Sequence, residues 1–242
     1  MWRGNAGRPG GGDSGRDGAS GARHLVVRVK SARRRKPSST EWLARQLNDP
    51  FVAEARRLGY RSRAAFKLIQ LDARFRLLAP GRRVVDLGCA PGGWTQIAAQ
   101  RVGAAAGPGR VVGIDLLATE AITGAIVLTG DFRDPAMAEH VRAALAGPAD
   151  LMLSDMAAPA TGHAPTDHLR IVALAEAAFL FARTILKPGG TFLAKVFQGG
   201  TEGALLLTLK REFAEVRHAK PAASRAESAE TYVVAKGFRG AA

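Results

Sequence analysis

The 242-residue sequence predicts an α/β domain in which helices cover both faces of a mostly parallel sheet. Three observations support this. After residue 83, short apolar runs alternate with helical segments, which is the pattern of repeated strand–helix–strand units. Residues 84–102 read as a buried strand, a glycine-rich turn and a helix, an arrangement that commonly binds nucleotide-like ligands. Three aspartates follow predicted strands, at the edge where open α/β sheets bind ligands.

The predicted elements alternate through the second part of the chain. Strands are expected at residues 84–88, 111–115, 126–129, 150–154 and 191–196. Helices are expected near residues 94–102, 135–145, 167–186 and 203–214. Segments 215–219 and 231–236 have no helix between them and predict a closing hairpin. The result is a mostly parallel seven-stranded sheet with one antiparallel edge strand, which is the plan of the class I methyltransferase (Rossmann-like) fold.

The residues before this pattern divide into a tail and a helical region. Residues 1–38 are poor in apolar side chains and rich in glycine, serine and arginine, so we expect a disordered basic tail. The folded domain spans residues 39–242 and begins with helices in residues 39–80. Three are expected: one from about residue 41, one over residues 50–58, and one that Ser62 caps and that ends near Pro80.

The net charge of +14 lies entirely before the glycine turn. Residues 1–83 hold 20 Lys and Arg against 6 Asp and Glu, whereas residues 84–242 hold 15 of each. Such a basic block attracts polyanions, either nucleic acid or an anionic membrane surface. Because the tail has no amphipathic apolar face, nucleic acid is the favoured partner, and the helices in residues 39–80 are candidate RNA-binding elements. A solubilising tail is the alternative interpretation of residues 1–38.

Composition also disfavours several other classes of protein. No run of about 18 apolar residues and no signal-peptide pattern is present, so we expect a cytoplasmic protein without membrane attachment. The single cysteine, Cys89, excludes an intramolecular disulfide and a multi-cysteine metal site. The five histidines show no metal-ligand spacing, so we expect no metal. We also expect a monomer.

The glycine turn indicates a cofactor other than a dinucleotide. Gly88, Gly92 and Gly93 allow backbone to approach a ligand closely, but Ala90 occupies a position where the dinucleotide fingerprint needs glycine. Asp86, inside the strand, is suited to holding a cation or a water near the turn. S-adenosylmethionine carries an ammonium and a sulfonium, and is therefore the predicted ligand. An ordinary tight strand–turn–helix loop is the alternative.

Acidic residues follow three of the predicted strands. Asp115 ends the second strand, where a carboxylate can accept both ribose hydroxyls of a nucleoside. Asp131 follows the third strand and can meet the adenine amino group, and Asp155 follows the fourth. Each could instead cap the next helix. Because all three lie on the same sheet edge as the glycine turn, we expect a nucleoside pocket there.

Two further charged positions lie at strand boundaries. Lys195 ends the apolar run 191–194 and points either into the crevice or to solvent at the sheet edge. Glu230 precedes the last predicted strand, and Glu227, three residues earlier, competes with it on sequence grounds.

The sequence resembles the FtsJ-like ribose 2′-O-methyltransferases from about Trp42 to Gly237. Several motifs occur in the family's order: Tyr60–Leu68, Asp86–Trp94, Gly130–Asp134, Leu153–Ala157, Lys195–Gly199 and Ser228–Tyr232. The sequence departs from the family pattern at Cys89, where a small residue such as alanine is expected, and in its long tail. The tail leaves open which residues contact RNA.

The resemblance implies the site residues and the reaction. The family's Lys-Asp-Lys-Glu tetrad falls on Lys67, Asp155, Lys195 and Glu230, because the family glutamate lies two residues before a tyrosine. Cofactor contacts fall on Gly92, Trp94, Asp115, Asp131 and Asp155. The implied reaction is S-adenosylmethionine-dependent 2′-O-methylation of a uridine ribose in large-subunit (23S) ribosomal RNA during ribosome maturation, with Lys195 as the base.

Two alternatives remain at the level of sequence. The same reaction on transfer RNA or a messenger cap would use the same tetrad with different peripheral RNA contacts. A non-catalytic, RNA-binding ribosome-assembly factor would retain the cofactor fold, but the complete tetrad argues against this class. The compact N-terminal helices and the absence of a long C-terminal extension favour ribosomal RNA.

Overall fold

The structure is a computed structural model, and it describes residues 40, 43–44, 46–159, 161–198 and 203–240. The chain divides into two compact units, Met1–Asn48 and Asp49–Ala242. In the first unit, the described residues 40, 43, 44, 46 and 47 are helical, in the region where the sequence predicts a helix. The predicted basic tail, residues 1–38, lies outside the described residues, so its disorder and the boundary at residue 39 stay predictions.

The second unit alternates helices and strands along the chain. Its helices are α1 Pro50–Arg57, α2 Ala64–Phe75, α3 Gly93–Val102, α4 Pro135–Leu145, α5 Ala164–Ile185 and α6 Gly203–Glu212. Its strands are β1 Arg83–Leu87, β2 Arg110–Asp115, β3 Ile126–Thr129, β4 Ala149–Ser154, β5 Leu186–Phe197, β6 Phe213–Ala219 and β7 Glu230–Phe238. Within the described ranges, no helix is long and apolar enough to cross a membrane.

The seven strands form one mixed sheet in the order β3-β2-β1-β4-β5-β7-β6. The pairs from β3 to β5 are parallel, whereas β7 is antiparallel to both β5 and β6. The predicted mostly parallel seven-stranded sheet is therefore confirmed. Its antiparallel strand is β7, which lies second from the edge, inside β6. The strand order reverses between β1 and β4, and open sheets bind ligands beyond the carboxyl ends of strands at such a point.

Apolar residues on both faces of the strands explain why helices cover both faces of the sheet. In β1, Val85 and Leu87 pack with α4, α5 and α6 in one core cluster, whereas Val84 packs with α2 and α3 in the other. Successive side chains of a strand point to opposite faces, so an apolar run needs cover on each side. The two helical layers predicted from the alternating pattern are confirmed.

Helix α2 starts and ends differently from the prediction. Arg63 occupies its N-cap position without a side-chain cap, so Ser62 does not cap the helix as predicted. The helix ends at Phe75 instead of near Pro80, because Arg76 adopts the left-handed conformation with φ 52°. The Asp72 carboxylate accepts a hydrogen bond from the Leu78 N–H at 2.7 Å and so fixes this early end.

Strand β5 is longer than predicted. It begins at Leu186 instead of residue 191, and its pairing with β4 shifts register between Ala149 and Leu151. This irregularity adds residues around Gly189 and Gly190 to the strand, which lie between the predicted helix near residues 167–186 and the predicted strand at residues 191–196.

Helix α2 is anchored at its first turn to helix α3 and at its last turn to the sheet. The indole Nε1 of Trp94 in α3 donates to the Ala64 carbonyl at 2.7 Å, in the first turn of α2. The Lys236 ammonium of β7 donates to the Phe75 carbonyl in its last turn. The side chains along α2 are therefore held at fixed positions relative to β7.

Removing the Asp72 carboxylate should destabilise this region. Asp72 is 5% exposed and also pairs with Arg101 at 2.7 Å. In Asp72→Ala the partly buried Leu78 N–H loses its acceptor, so the free energy of unfolding measured with urea should fall by about 1–3 kcal/mol. Glu54→Ala, which breaks an exposed pair with Arg57 one turn along α1, is the matched control and should change stability little. Equal losses in the two variants would contradict this role for Asp72.

Candidate active site

Four charged side chains from four elements meet at the carboxyl edge of the parallel strands. Lys67 comes from α2, Asp155 directly follows β4, Lys195 lies near the end of β5, and Glu230 begins β7. Because β7 is antiparallel to β5, its first residue pairs with Phe197 at the end of β5. The structure therefore brings together all four residues of the tetrad that the family resemblance implies.

Asp155 is at the centre of this group. Its Oδ1 lies 3.2 Å from the Lys195 Nζ, and its Oδ2 lies 3.9 Å from the Lys67 Nζ. Lys195 also donates to the Asp155 backbone carbonyl at 2.8 Å. The Tyr232 hydroxyl donates to Oδ1 at 2.8 Å. One carboxylate thus contacts both lysines and a tyrosine.

Glu230 forms the second carboxylate of the group. Its Oε2 accepts from the Lys67 Nζ at 2.8 Å, and its Oε1 accepts from the Ser224 hydroxyl at 2.6 Å. Burial favours a raised pKa for Glu230, but the Lys67 ammonium and the hydrogen bonds from Lys67 and Ser224 outweigh it and lower that pKa. Glu227 is exposed, so the structure places Glu230 and not Glu227 beside Lys67.

The charges of the group balance in a buried setting. Lys67 and Lys195 are each 7% exposed, and two carboxylates compensate their two ammonium groups. Unpaired buried charges would be costly, and in this group each lysine lies beside a carboxylate. Burial and the neighbouring Asp155 carboxylate raise the pKa of Tyr232 well above its ordinary value. Tyr232 therefore stays protonated and acts as a donor.

A cavity of about 500 Å³ opens beside this charged group. Its lining includes Gly88 and Ala90 of the glycine turn, and the three predicted carboxylates of Asp115, Asp131 and Asp155. This volume lies within the range of small-molecule sites, which is about 300–1,000 Å³. Apolar lining residues are Leu116, Leu117, Phe132 and Met156.

Asp115 and Asp131 are held at the cavity by local bonds. Asp115 accepts from the Ala90 and Leu117 backbone N–H groups, each at 2.9 Å, so it braces the glycine turn. Asp131 pairs with Arg133 at 2.6 Å, and the hydrogen bonds from Arg133 lower the pKa of Asp131. Neither aspartate caps a helix: the N-cap of α4 is Asp134.

Asp155 likewise does not cap the following helix. The N-cap position of α5 is His163, which makes no side-chain cap hydrogen bond. The helix-cap alternative therefore applies to none of the three predicted carboxylates, and all three face the cavity.

The other two predicted cofactor contacts, Gly92 and Trp94, do not line this cavity. A side chain at Gly92 would come within 2.6 Å of Ile122 and 3.0 Å of Arg61, and its φ is +108°. Trp94 is 3% exposed, with its ring 5.6 Å from that of Tyr232. Both residues shape the turn and the adjoining core, and their contact with a cofactor stays a prediction.

Asp86 and Cys89 lie beneath the turn. The Asp86 carboxylate is 1% exposed and accepts from the Thr95 hydroxyl at 2.6 Å, away from the cavity lining. Burial raises the pKa of Asp86 to about 7 and that of Cys89 to about 12. Asp86 therefore tethers β1 to α3, whereas the sequence suggested that it holds a cation or a water. Among the described residues, no group of three or more His, Cys, Asp or Glu could hold a metal ion.

Three further residues support the site and were not predicted from the sequence. Tyr232 and Ser224 each bond a tetrad carboxylate, and Arg61 donates to the carbonyls of Pro91, Glu120 and Ala121. Arg61 thereby ties the segment before α2 to the glycine turn and to the loop after β2. In the sequence, their only signal is their position in the family motifs. Arg61 lies in Tyr60–Leu68, Tyr232 lies in Ser228–Tyr232, and Ser224 lies just before the second motif.

The buried Asp86 carboxyl should make stability depend on pH. Its pKa is about 7 in the folded protein and about 4 when unfolded. The neutral Asp86 carboxyl therefore makes its full contribution to the free energy of unfolding below pH 4. This contribution is lost as the pH rises from 4 through 7. Asp86→Asn stays neutral, so urea unfolding should show wild type losing stability relative to the variant between pH 5 and pH 8.

Asp150→Asn is the matched control for this measurement. Burial favours a raised pKa for Asp150, but the Arg83 backbone N–H and the Lys187 side chain outweigh it and lower that pKa. The ionised Asp150 carboxylate therefore makes its full contribution to stability at any pH above the pKa of aspartate in the unfolded chain. The difference in free energy of unfolding between Asp150→Asn and wild type should thus stay constant from pH 5 to pH 8. If the difference in free energy of unfolding between Asp86→Asn and wild type also stays constant from pH 5 to pH 8, Asp86 is ionised in the folded protein.

Comparison with known proteins identifies the family. The model of the family described as FtsJ-like methyltransferase matches residues 60–238. Proteins named ribosomal RNA large subunit methyltransferase E from Paramagnetospirillum magneticum and Azorhizobium caulinodans are 64% and 62% identical, over 92% and 91% of this chain and 92% of each relative. A solved structure from Plasmodium falciparum, provisionally described as a ribosomal RNA methyltransferase, is 31% identical in sequence and superposes with a TM-score of 0.67. The match covers 75% of this chain and 100% of that one. With this extent of matching, the chain belongs to the FtsJ-like methyltransferase family.

Proposed function

We propose that this methyltransferase transfers a methyl group from S-adenosylmethionine to the 2′-hydroxyl of a uridine ribose in large-subunit (23S) ribosomal RNA. The observation that carries the proposal is that Asp155 belongs to two sites at once. Its carboxylate contacts Lys195 at 3.2 Å and also lines the 500 Å³ cavity. A methyl donor in the cavity and a base at Lys195 would therefore be neighbours.

The donor groups of S-adenosylmethionine match the acceptors of the cavity. The cofactor offers an ammonium, two ribose hydroxyls and an adenine amino group, and ionised carboxylates only accept hydrogen bonds. Asp155, Asp115 and Asp131 would hold these three groups, with Gly92 and Trp94 beside them. When bound, the cofactor supplies a methyl group on a sulfonium, whose carbon–sulfur bond breaks as the carbon–oxygen bond to the ribose forms.

In this proposal Lys195 takes the proton of the ribose hydroxyl. A neutral amine has two N–H donors and one lone pair. In this structure the Asp155 carbonyl and the Asp155 Oδ1 lie 2.8 Å and 3.2 Å from the Lys195 Nζ and provide acceptors for both donors. The remaining tetrahedral position holds the lone pair, which can accept the 2′-hydroxyl proton while the oxygen attacks.

Lys67 and Glu230 arrange the charge around this base. The Lys67 ammonium lies 3.9 Å from the Asp155 Oδ2 and 2.8 Å from Glu230. It competes with Lys195 for Asp155, so this carboxylate is shared between the two lysines. Glu230 keeps Lys67 in place and compensates its charge.

Ribosomal RNA is the substrate best supported. Relatives at 57% to 64% identity, aligned over 91% to 98% of this chain, are named ribosomal RNA large subunit methyltransferase E. The excess positive charge of residues 1–83 supplies the electrostatic attraction that an RNA substrate requires. Reaction on transfer RNA or a messenger cap, and non-catalytic RNA binding during subunit assembly, are the alternatives. We infer a cytoplasmic site of action, where ribosomal subunits mature.

Single-turnover methyl transfer tests the function and the base together. Wild-type protein with labelled S-adenosylmethionine should methylate large-subunit ribosomal RNA or the subunit in preference to transfer RNA and capped RNA. The label should map to a uridine whose 3′ phosphodiester resists alkaline hydrolysis. Lys195→Ala should lower the single-turnover rate by at least about 10²-fold, because general-base catalysis contributes 10²–10⁴-fold. Affinities for RNA and cofactor should change little.

Glu230→Ala and Glu227→Ala form a matched pair for the same assay. Glu230→Ala should reduce the rate less than Lys195→Ala, because it removes a positioning carboxylate and leaves the amine. Glu227→Ala should be as active as wild type, since Glu227 is exposed. A larger loss from Glu227→Ala, or an active Lys195→Ala, would place the chemistry on other residues. RNA binding by the wild type without methyl transfer would favour the assembly factor.

A further inference from the structure

We propose that Ser224 is a positioning residue of the active site, which fixes the Glu230 carboxylate and, through it, the Lys67 ammonium. The inference rests on the proposed function, since it assigns Ser224 a part in the methyl-transfer step. Ser224 lies on the connection between β6 and β7, residues 220–229, outside the tetrad.

The contact between Ser224 and Glu230 is short and buried. The Ser224 hydroxyl donates to the Glu230 Oε1 at 2.6 Å, and Ser224 is 6% exposed. The other oxygen, Oε2, accepts from the Lys67 Nζ at 2.8 Å. The last torsion of a glutamate is broad, so a single contact would leave the carboxylate free to rotate about it. With both oxygens engaged, its plane is fixed and Oε2 stays directed at Lys67.

The peptide before Ser224 is bound to the helix that carries Lys67. The Ala223 N–H donates to the Gln70 Oε1 of α2 at 2.8 Å, and the Ala223 carbonyl accepts from the Arg63 Nη2 at 2.6 Å. Ala223 is fully buried. Gln70 lies one turn after Lys67, so α2 sets the positions of both the Lys67 ammonium and the Ser224 hydroxyl.

The connection is also braced at its other residues. The Lys220 ammonium donates to the carbonyls of Ala226 and Ser228 at 3.0 Å and 2.6 Å. Arg225 lies 3.4 Å from Asp49, the N-cap of α1. These bonds hold the backbone of the connection whether or not residue 224 has a hydroxyl. Removing that hydroxyl therefore removes one contact to Glu230 and leaves the connection in place.

Ser228 provides a matched control within the same connection. Its hydroxyl accepts from the backbone N–H of Glu230 at 3.2 Å, and among the described residues it forms no hydrogen bond with the Glu230 carboxylate. Ser224→Ala and Ser228→Ala each delete one hydroxyl near Glu230. Only the first affects the carboxylate that faces Lys67.

Steady-state and single-turnover methylation by the full-length protein test the proposal. Ser224→Ala should lower kcat by about tenfold, the effect expected from losing a hydrogen bond to a charged group. KM for S-adenosylmethionine and for RNA should stay within about twofold, because Ser224 does not line the cavity and is only 6% exposed. Ser228→Ala should keep the wild-type kcat.

A double-mutant cycle separates positioning from a purely structural role. If Ser224 acts through Glu230, Ser224→Ala should cause no further loss of kcat in the Glu230→Ala background. The same loss in both backgrounds would overturn the proposal, as would wild-type kcat in Ser224→Ala or an equal loss in Ser228→Ala. Should Ser224→Ala fail to fold, Ser224→Cys keeps the size with a weaker donor, and a wild-type kcat in that variant would overturn the proposal equally.

The outcomes also separate this inference from the proposed function. Methyl transfer by the wild type, with Glu230→Ala impaired and Ser224→Ala unaffected, would overturn the role of Ser224 alone. A wild type that transfers no methyl group to RNA would overturn the proposed function, and the role of Ser224 with it.

Discussion

The structure of the site depends on the compensation of two buried ammonium groups by two carboxylates. Lys67 and Lys195 are each 7% exposed, and Glu230 and Asp155 lie 2.8 Å and 3.2 Å from their respective ammonium groups. Since the four residues come from four elements, their charges pair only when α2, the end of β4, β5 and β7 are all in place. The tetrad therefore couples the chemistry of the site to the completed fold.

The antiparallel direction of β7 is what completes the group. The parallel strands present their carboxyl ends at the site, so a further parallel strand would bring its last residues there. Because β7 runs the other way, its first residues face the end of β5: Glu230 pairs with Phe197, and Tyr232 pairs with Lys195. The same reversal places the connection before β7, with Ser224, against α2. Strand β7 thus supplies the second carboxylate, Glu230, and the tyrosine donor, Tyr232. The connection before β7 supplies Ser224, which bonds Glu230.

Sequence patterns predicted the sheet well and the site in part. Apolar runs and the glycine turn predicted the bounds of strands β1 to β4 to within one residue at each end. Buried parallel strands have a strong local signature, because they are apolar along their whole length. The tetrad followed from resemblance, since Lys67 and Glu230 are 163 residues apart and no local rule connects them. Ser224 and the early end of α2 depend on contacts made only in the folded chain, such as the Asp72 bond to Leu78. For the same reason spacing could not choose between Glu227 and Glu230.

Asp155 is the residue on which both halves of the proposed reaction depend, and Asp155→Asn keeps its size while removing its charge. Calorimetric titration with S-adenosylmethionine and single-turnover methylation of the same variant provide the most direct measurement. If the cavity and the base share Asp155, the variant should bind the cofactor more weakly and also transfer methyl more slowly at saturating cofactor, whereas Lys195→Ala should lose only the transfer. An Asp155→Asn variant that binds S-adenosylmethionine as wild type does, or that regains the full rate at saturation, would contradict a shared site.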